Sequence, residues 1–156
     1  MPLKIGDKAP LFTLYSEEKS PVSLNDYQGR RLLILFFPLA FTGVCTEELC
    51  TMRDALADYN SLGSDIVAIS VDSVFTLERF KAAEGLNFPL LSDFNKEVSR
   101  QYGALYDTFV LGMEGVSKRA AFVIDGEGVI RYAEVLASAG NQPDYAAIRA
   151  TLADLQ

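Results

Sequence analysis

The sequence contains no histidine and only two cysteines, which narrows the chemistry that it can perform. A zinc site would need two carboxylate ligands beside the two thiols, and such a donor set is uncommon. Hydrolysis by a serine or cysteine with a histidine base is excluded outright. Any catalysis must therefore rely on cysteine, carboxylate, arginine, tyrosine or lysine side chains.

Long apolar runs and concentrated positive charge are also missing. The longest apolar run, residues 32–44, is interrupted by Pro38, Thr42 and Gly43, and none approaches the roughly 18 residues of a membrane span. The net charge is −7, and the 14 lysines and arginines are scattered along the chain. An acidic surface repels phosphate backbones. We therefore expect neither a membrane nor a nucleic acid as a partner.

The length and composition fit one globular domain. The 156 residues are 49% apolar and 22% charged, and they contain no repeat, linker or low-complexity tract. We therefore expect residues 1–156 to form a single domain. The first seven residues lack the charged-then-apolar arrangement of a signal peptide, so a cytoplasmic location is expected.

Strand and helix patterns alternate along the chain. The apolar runs 32–37 and 65–71 are typical of strands that are covered on both faces. Shorter strands are predicted at 11–15, 21–24 and 88–91, and a hairpin at 120–133. Helices are predicted from Thr42 to Asn60, before Gly85, between an N-cap at Asp93 or Asn95 and Gly103, and near the C-terminus. This order predicts an α/β fold with a mixed central sheet flanked by helices.

The stretch from Phe36 to Cys50 carries the most informative residues. A buried strand leads into a turn, and the turn opens a helix with Cys45 in or near its first turn. Amides there lack intrahelical partners and the helix end carries partial positive charge, so both favour a thiolate. Thr42, three residues earlier, can direct its hydroxyl to the same place. From helix position alone, Cys45 can equally be a small buried core residue.

The segment Pro38-x-x-x-Thr42-x-x-Cys45 is similar to the P-x-x-x-[TS]-x-x-C active-site motif of the peroxiredoxins. Three further segments, at 6–10, 88–93 and 119–125, resemble the same family in order and spacing. The chain most resembles the alkyl hydroperoxide reductase E type and the Q type, also called bacterioferritin-comigratory proteins. The resemblance extends over nearly the whole chain and implies a thioredoxin-like fold.

The resemblance also implies roles for individual residues. Cys45 would be the peroxidatic nucleophile, which reduces a hydroperoxide and becomes a sulfenic acid. Arg119 matches the active-site arginine of the family, and its guanidinium would stabilise the thiolate and the polarised peroxide. Thr42 would orient the peroxide. Pro38 would shield Cys45 from water and fix the entry of the loop, although ending the preceding strand is a sufficient explanation for this proline. The backbone amides of Val44 and Cys45 would complete an anion-binding cradle.

Two charged residues also have a simpler interpretation. Without the family motif, Arg119 is most simply a surface charge at a strand edge. Glu48 lies one helical turn beyond Cys45 and would hold Arg119 in place. Its position on a helix favours a solvent-exposed carboxylate instead, and we expect that environment.

No cysteine lies near the C-terminus, so the only internal residue that can resolve a sulfenic acid is Cys50. In an intact helix, Cα atoms five residues apart lie about 8.7 Å from each other and about 140° around the axis. A disulfide needs Cα atoms within about 7 Å. A Cys45–Cys50 disulfide therefore requires unwinding, to which the weak helix formers Gly43, Thr46 and Thr51 contribute. The alternative is that Cys50 is inert core filling and that an outside thiol resolves Cys45.

The expected function is a hydroperoxide reductase that binds no metal, flavin or nucleotide and is recycled by a thioredoxin- or glutaredoxin-like thiol. The alternative function of a disulfide oxidoreductase is rejected, because that chemistry normally uses Cys-x-x-Cys and the two cysteines here are five residues apart. A peroxide sensor that relays oxidation to a partner protein would use the same Cys45 and stays open. Leu39, Phe41 and Phe109 would line an apolar mouth for organic hydroperoxides, although core packing explains them equally well. The resemblance further suggests a homodimer.

Overall fold

The two apolar runs that predict buried strands form the centre of the sheet. In the computed structural model, which describes residues 3–156, they become the parallel strands β3 (Arg31–Phe36) and β4 (Ser64–Ser70). Met1 and Pro2, which begin the segment considered above as a signal peptide, lie outside the described residues. Side chains alternate between the two faces of a strand. Each face of β3 therefore contributes to a different core cluster.

Five further strands and four α-helices complete the described part of the chain. The strands are β1 (Thr13–Ser16), β2 (Pro21–Ser23), β5 (Leu90–Ser92), β6 (Ala120–Ile124) and β7 (Ile130–Val135). The helices are α1 (Gly43–Ser61), α2 (Val74–Glu84), α3 (Glu97–Gln101) and α4 (Tyr145–Asp154), with 3₁₀ turns at Leu24–Tyr27 and Val110–Gly112. The strand order in the sheet is β2-β1-β5-β4-β3-β6-β7. Strand β4 runs parallel to both neighbours, and the other pairs are antiparallel.

Helices cover both faces of this sheet. Leu49 of α1, Phe80 of α2 and Leu152 of α4 share one core cluster with Leu33 and Leu35 of β3. On the opposite face, Val98 of α3 packs in the second cluster. Because each face of β3 is covered, its sequence is continuously apolar rather than alternating. The prediction of a mixed central sheet flanked by helices is confirmed.

The boundaries of the smaller elements differ from those predicted. Strands β1 and β5 each begin two residues later than the apolar pattern suggests. The expectation of an N-cap at Asp93 or Asn95 is wrong, because Lys96 occupies that position with a left-handed φ of 67°. Asp93 nevertheless accepts hydrogen bonds from the amides of Val98 (3.2 Å) and Ser99 (2.6 Å). Its carboxylate thus binds the first-turn donors from outside the helix, a geometry that sequence spacing does not show.

The sheet register brings two distant parts of the chain to one place. Phe36, the last residue of β3, pairs with Ala120, the first residue of β6. Arg119 immediately precedes β6, so it lies beside the loop that connects β3 to α1. Within residues 3–156, no helix has both the length and the apolar character needed to cross a membrane.

Candidate active site

The start of α1 places Cys45 in its first turn. The N-cap, Thr42, has extended backbone angles, and the first backbone bond of the helix runs from the Thr46 N–H to the Thr42 carbonyl (2.9 Å). The amides of Val44 and Cys45 precede that bond, so they lie among the donors that a helix leaves unpaired at its N-terminus. The Cys45 side chain itself is buried. A thiolate at this position is therefore close to the positive end of the helix.

The Arg119 guanidinium contacts Cys45 directly and is held from three sides. Its Nη2 donates to the Cys45 Sγ at 3.2 Å, and its Nη1 donates to the Glu48 Oε1 at 2.6 Å. Nε and Nη2 also donate to the carbonyl of Ala139, at 3.1 and 2.9 Å. Arg119 is only 1% exposed, so the interpretation as a surface charge is wrong. A single buried cation thus serves both a thiol and a carboxylate.

Glu48 is completely buried, which overturns the expectation of a solvent-exposed carboxylate. Burial raises its pKa to about 7, although the neighbouring charge of Arg119 acts in the opposite direction. Burial also acts to lower the pKa of Arg119, but the charges of Glu48 and Cys45 outweigh it and the pKa of Arg119 is raised. Within the described residues, the second carboxylate oxygen, Oε2, has no hydrogen-bond partner. The three-residue spacing from Cys45 is the signal that places Glu48 on the same helix face.

Thr42 and Pro38 both lie at the site, but Thr42 is engaged differently from the sequence expectation. Its hydroxyl donates to the carbonyl of Leu39 at 2.7 Å, which closes the turn before α1. Within residues 3–156, no hydrogen bond joins Thr42 to Cys45. Pro38 is buried, and both side chains line the same cavity as the thiol. The structure therefore brings Pro38, Thr42, Cys45 and Arg119 together.

The thiol lies in a cavity of about 710 Å³ with largely apolar walls. The walls come from the turn before α1, the segment 106–113 and the loop after β7. Leu39 and Phe109 contribute to them, as the sequence suggested. The expectation that Phe41 lines this cavity is wrong. Phe41 has a left-handed φ of 66°, and its ring packs against Phe80 instead, with the ring centroids 5.0 Å apart.

Cys50 is separated from Cys45 in this structure, and both cysteines are free. Helix α1 is continuous through both residues, and the geometry of an undisturbed helix keeps their side chains too far apart for a disulfide. Cys50 is half-buried and packs at the border of the core cluster that contains Leu49. Burial raises the pKa of the Cys50 thiol, with Glu84 and Asp54 adding to the effect and Arg53 opposing it.

Two contributors to the site had no sequence signal. The Ala139 carbonyl, which accepts twice from Arg119, is a backbone group, so the residue type does not reveal it. The other is the segment 106–113 apart from Phe109, which forms one wall through an irregular loop where Thr108 pairs with Glu114 in a single antiparallel bridge. Isolated pairing of this kind leaves no periodic pattern in the sequence.

The chain is similar in sequence and in fold to known proteins. The sequence profile of the AhpC/TSA family matches residues 5–133. The chain is 39% identical to peroxiredoxin Bcp of Escherichia coli (strain K12) over 133 residues, covering 84% of this chain and 85% of that protein. It is 40% identical to alkyl hydroperoxide reductase E of Mycobacterium bovis over 136 residues, covering 85% and 86%. The crystal structure of peroxidoxin BcpB from Mycobacterium tuberculosis superposes with a TM-score of 0.86 at 28% identity, covering 99% of both chains.

A buried cysteine at a helix start faces a buried arginine beside a mixed sheet, which is the arrangement expected of a thiol enzyme with a thioredoxin-like fold. The structural match confirms that fold, and a peroxiredoxin-like protein from Aquifex aeolicus also superposes, with a TM-score of 0.90 at 25% identity over 100% of this chain and 90% of that one. The chain belongs to the AhpC/TSA family. The resemblance to peroxiredoxins is thus confirmed, and the protein is an enzyme of the thiol peroxidase class.

Proposed function

We propose that this protein reduces hydrogen peroxide and organic hydroperoxides through a sulfenic acid on Cys45. The observation that carries this proposal is the contact between the Arg119 Nη2 and the Cys45 Sγ at 3.2 Å, at the end of an accessible cavity. The thiolate attacks the terminal peroxide oxygen, so an S–O bond forms and the O–O bond breaks. The departing oxygen takes a proton from solvent and leaves as water or an alcohol.

The residues around the thiol supply electrostatic stabilisation and orientation. Arg119 faces both the thiolate and the oxygen on which negative charge develops, in a site shielded from water. The amides of Val44 and Cys45 offer further donors to that charge. Thr42 holds the peroxide against the thiol, and Pro38 limits the access of water. Glu48 acts one step further away, because its carboxylate fixes the Arg119 guanidinium at 2.6 Å.

The apolar cavity walls favour organic hydroperoxides among the substrates. Leu39, Phe109 and Met113 would contact the carbon chain while the peroxide group faces Arg119. Burying such a chain is favourable by roughly 0.8 kcal/mol per methylene. One relative is named alkyl hydroperoxide reductase E, which agrees with a substrate of this kind.

We further propose that Cys50 resolves the sulfenic acid. Its thiolate attacks the Cys45 sulfur, the S–O bond breaks, and water leaves after proton uptake. Because the intact helix α1 keeps the two residues about 8.7 Å apart at Cα, its first turns must unwind before the disulfide can form. A thioredoxin- or glutaredoxin-like dithiol then reduces the disulfide and is itself oxidised.

The proposal also covers the organisation of the protein. The chain forms a single domain without a bound cofactor, it is located in the cytoplasm, and it assembles as a homodimer.

Intact mass after one equivalent of peroxide tests these steps together. A loss of two hydrogens, mapped to a peptide pair containing Cys45 and Cys50, is expected for the parent protein. The matched Cys50→Ser variant should instead gain one oxygen on Cys45, and Cys45→Ser should not react. A stable sulfenic or sulfinic acid in the parent, with Cys50 still alkylatable, would show that Cys50 does not resolve. Continuous turnover with dithiothreitol separates a peroxidase from a peroxide sensor, which stalls after one equivalent.

A further inference from the structure

The loop between β3 and α1 is fixed by a residue that lies outside the cysteine motif. This loop, residues 37–42, includes Pro38 and Thr42, and it directs the chain into the helix that bears Cys45. It contains a left-handed non-glycine residue, Phe41, with a φ of 66°. Such a conformation is unfavourable for a residue with a side chain and persists only where the surroundings enforce it. The groups that enforce it should therefore influence the reaction.

Asp72, which follows β4, binds the residue immediately before Phe41. Its Oδ2 accepts a hydrogen bond from the Ala40 N–H at 2.8 Å and another from the Ser70 hydroxyl at 2.7 Å. Ser70 is fully buried, and the Ser92 hydroxyl donates to the Asp72 carbonyl at 2.6 Å. The carboxylate is therefore held from β4 and its backbone from β5. It is a fixed acceptor beneath the middle of the loop.

Ala40 lies midway between Pro38 and Thr42, which both line the cavity. The Thr42 hydroxyl already closes the turn onto the Leu39 carbonyl at 2.7 Å. That bond shapes the turn but does not attach it to the sheet. The Phe37 N–H donates to the Ile69 carbonyl at 3.0 Å and joins the start of the loop to β4, whereas the bond from Ala40 to Asp72 attaches the middle of the loop. A charged acceptor makes such a bond stronger than a neutral one.

We propose that Asp72 is a positioning residue for peroxide reduction: through the Ala40 amide it holds Pro38 and Thr42 at the distance from Cys45 that the peroxide requires. This inference rests on the proposed function. Its effect is geometric, because Asp72 touches neither the thiol nor the bound peroxide. A displacement of about 1 Å in a reactant-orienting group lowers rates by about 100-fold.

The test compares two reactions of the same thiol. Peroxide needs the oriented loop, whereas iodoacetamide needs only the Cys45 thiolate. We expect Asp72→Ala to lower the rate constant with peroxide by about 10- to 100-fold while alkylation of Cys45, followed over a pH series, changes by less than about threefold. Asp72→Asn keeps an acceptor oxygen without the charge, so its peroxide-to-alkylation ratio should lie between those of the parent and Asp72→Ala, at least about twofold below the parent.

Asp65→Asn is the matched control. It makes the same chemical change at the other end of β4, where Asp65 pairs with Arg30 at 2.7 Å, away from the loop. If the role of Asp72 is merely structural, Asp72→Ala and Asp72→Asn will have lower melting temperatures. Their ratio of the peroxide rate to the alkylation rate will then be unchanged. An unchanged ratio in Asp72→Ala, or in Asp72→Asn if the alanine variant does not fold, overturns the inference. Failure of the parent itself to react with peroxide at Cys45 would instead overturn the proposed function.

Discussion

Glu48 gives a quantitative prediction of how stability depends on pH. Its carboxyl is completely buried, and burial raises its pKa from 4.5 to about 7. A group whose pKa is higher in the folded state contributes stability that is fully present below the unfolded value and is lost as the pH rises through the folded value. The stability that this carboxyl contributes should therefore begin to fall above about pH 4.5 and should be lost as the pH rises through about 7, because the carboxyl must then ionise in a buried place.

The size of the effect follows from the two pKa values. With 4.5 in the unfolded chain and about 7 in the folded protein, the contribution of Glu48 to the free energy of unfolding falls by about 2 to 3 kcal/mol between roughly pH 5 and pH 8. Glu48→Gln keeps the shape and the oxygen that faces Arg119, but it does not titrate. The stability of this variant relative to its parent should therefore rise by about 2 to 3 kcal/mol over the same range.

Urea denaturation followed by far-ultraviolet circular dichroism at a series of pH values measures this difference. A Cys45→Ser background keeps thiol chemistry out of the measurement. Glu47→Gln is the control, since Glu47 is an exposed carboxylate in the same helical turn. Stability curves for Glu48→Gln and its parent that run parallel from pH 5 to pH 8 would refute the reasoning. So would a variant that becomes relatively less stable as the pH rises.

Three further predictions concern single side chains. Arg119→Ala should slow the oxidation of Cys45, measured by quenched-flow mass spectrometry, by about 100-fold or more, and Arg119→Lys should recover part of the rate. An alanine variant with the kinetics of the parent would contradict the role of the guanidinium. Thr42→Ser should retain peroxidase activity, whereas Thr42→Val should oxidise Cys45 about 10- to 100-fold more slowly than the parent. Normal turnover by a stable valine variant would leave Thr42 with a structural role only. Leu111 is 96% exposed with a left-handed φ of 58°. Leu111→Asn should therefore raise the unfolding free energy in urea by up to about 1 kcal/mol, and an equal gain from the control Val110→Asn would rule out relief of backbone strain.

The central part of the fold was predictable from sequence because its pattern has one physical cause. An apolar run of strand length, such as that of β3, needs cover on both faces, and the alternation of helices with strands supplies it. The hairpin of β6 and β7 was equally clear, because two apolar runs flank a turn that contains Gly126 and Gly128. The short strands β1 and β5 begin two residues later than predicted, because so few residues carry too little periodicity to define where a strand begins.

The site was predictable only where its residues belong to a contiguous motif or match a known family. Helix geometry brings Cys45 to the first turn of α1, and the spacing of the motif brings Pro38 and Thr42 with it. The burial of Glu48 was not predictable, because the partner that makes burial tolerable, Arg119, lies 71 residues further along the chain. A carboxylate on a helix is normally solvated unless such a partner exists. Local sequence therefore favoured the wrong environment.

The orientation of Arg119 shows why these missing elements matter for the chemistry. A guanidinium has five N–H donors in one plane, so bonds at two of its edges determine where the third points. Here Glu48 fixes one edge, and the Ala139 carbonyl fixes the edge formed by Nε and Nη2. The remaining direction of Nη2 is occupied by the Cys45 Sγ at 3.2 Å. A lysine ammonium in the same place could supply the charge, but it has no plane for Glu48 and Ala139 to fix. The choice of arginine over lysine thus depends on a helix carboxylate and a loop carbonyl that lie outside the motif.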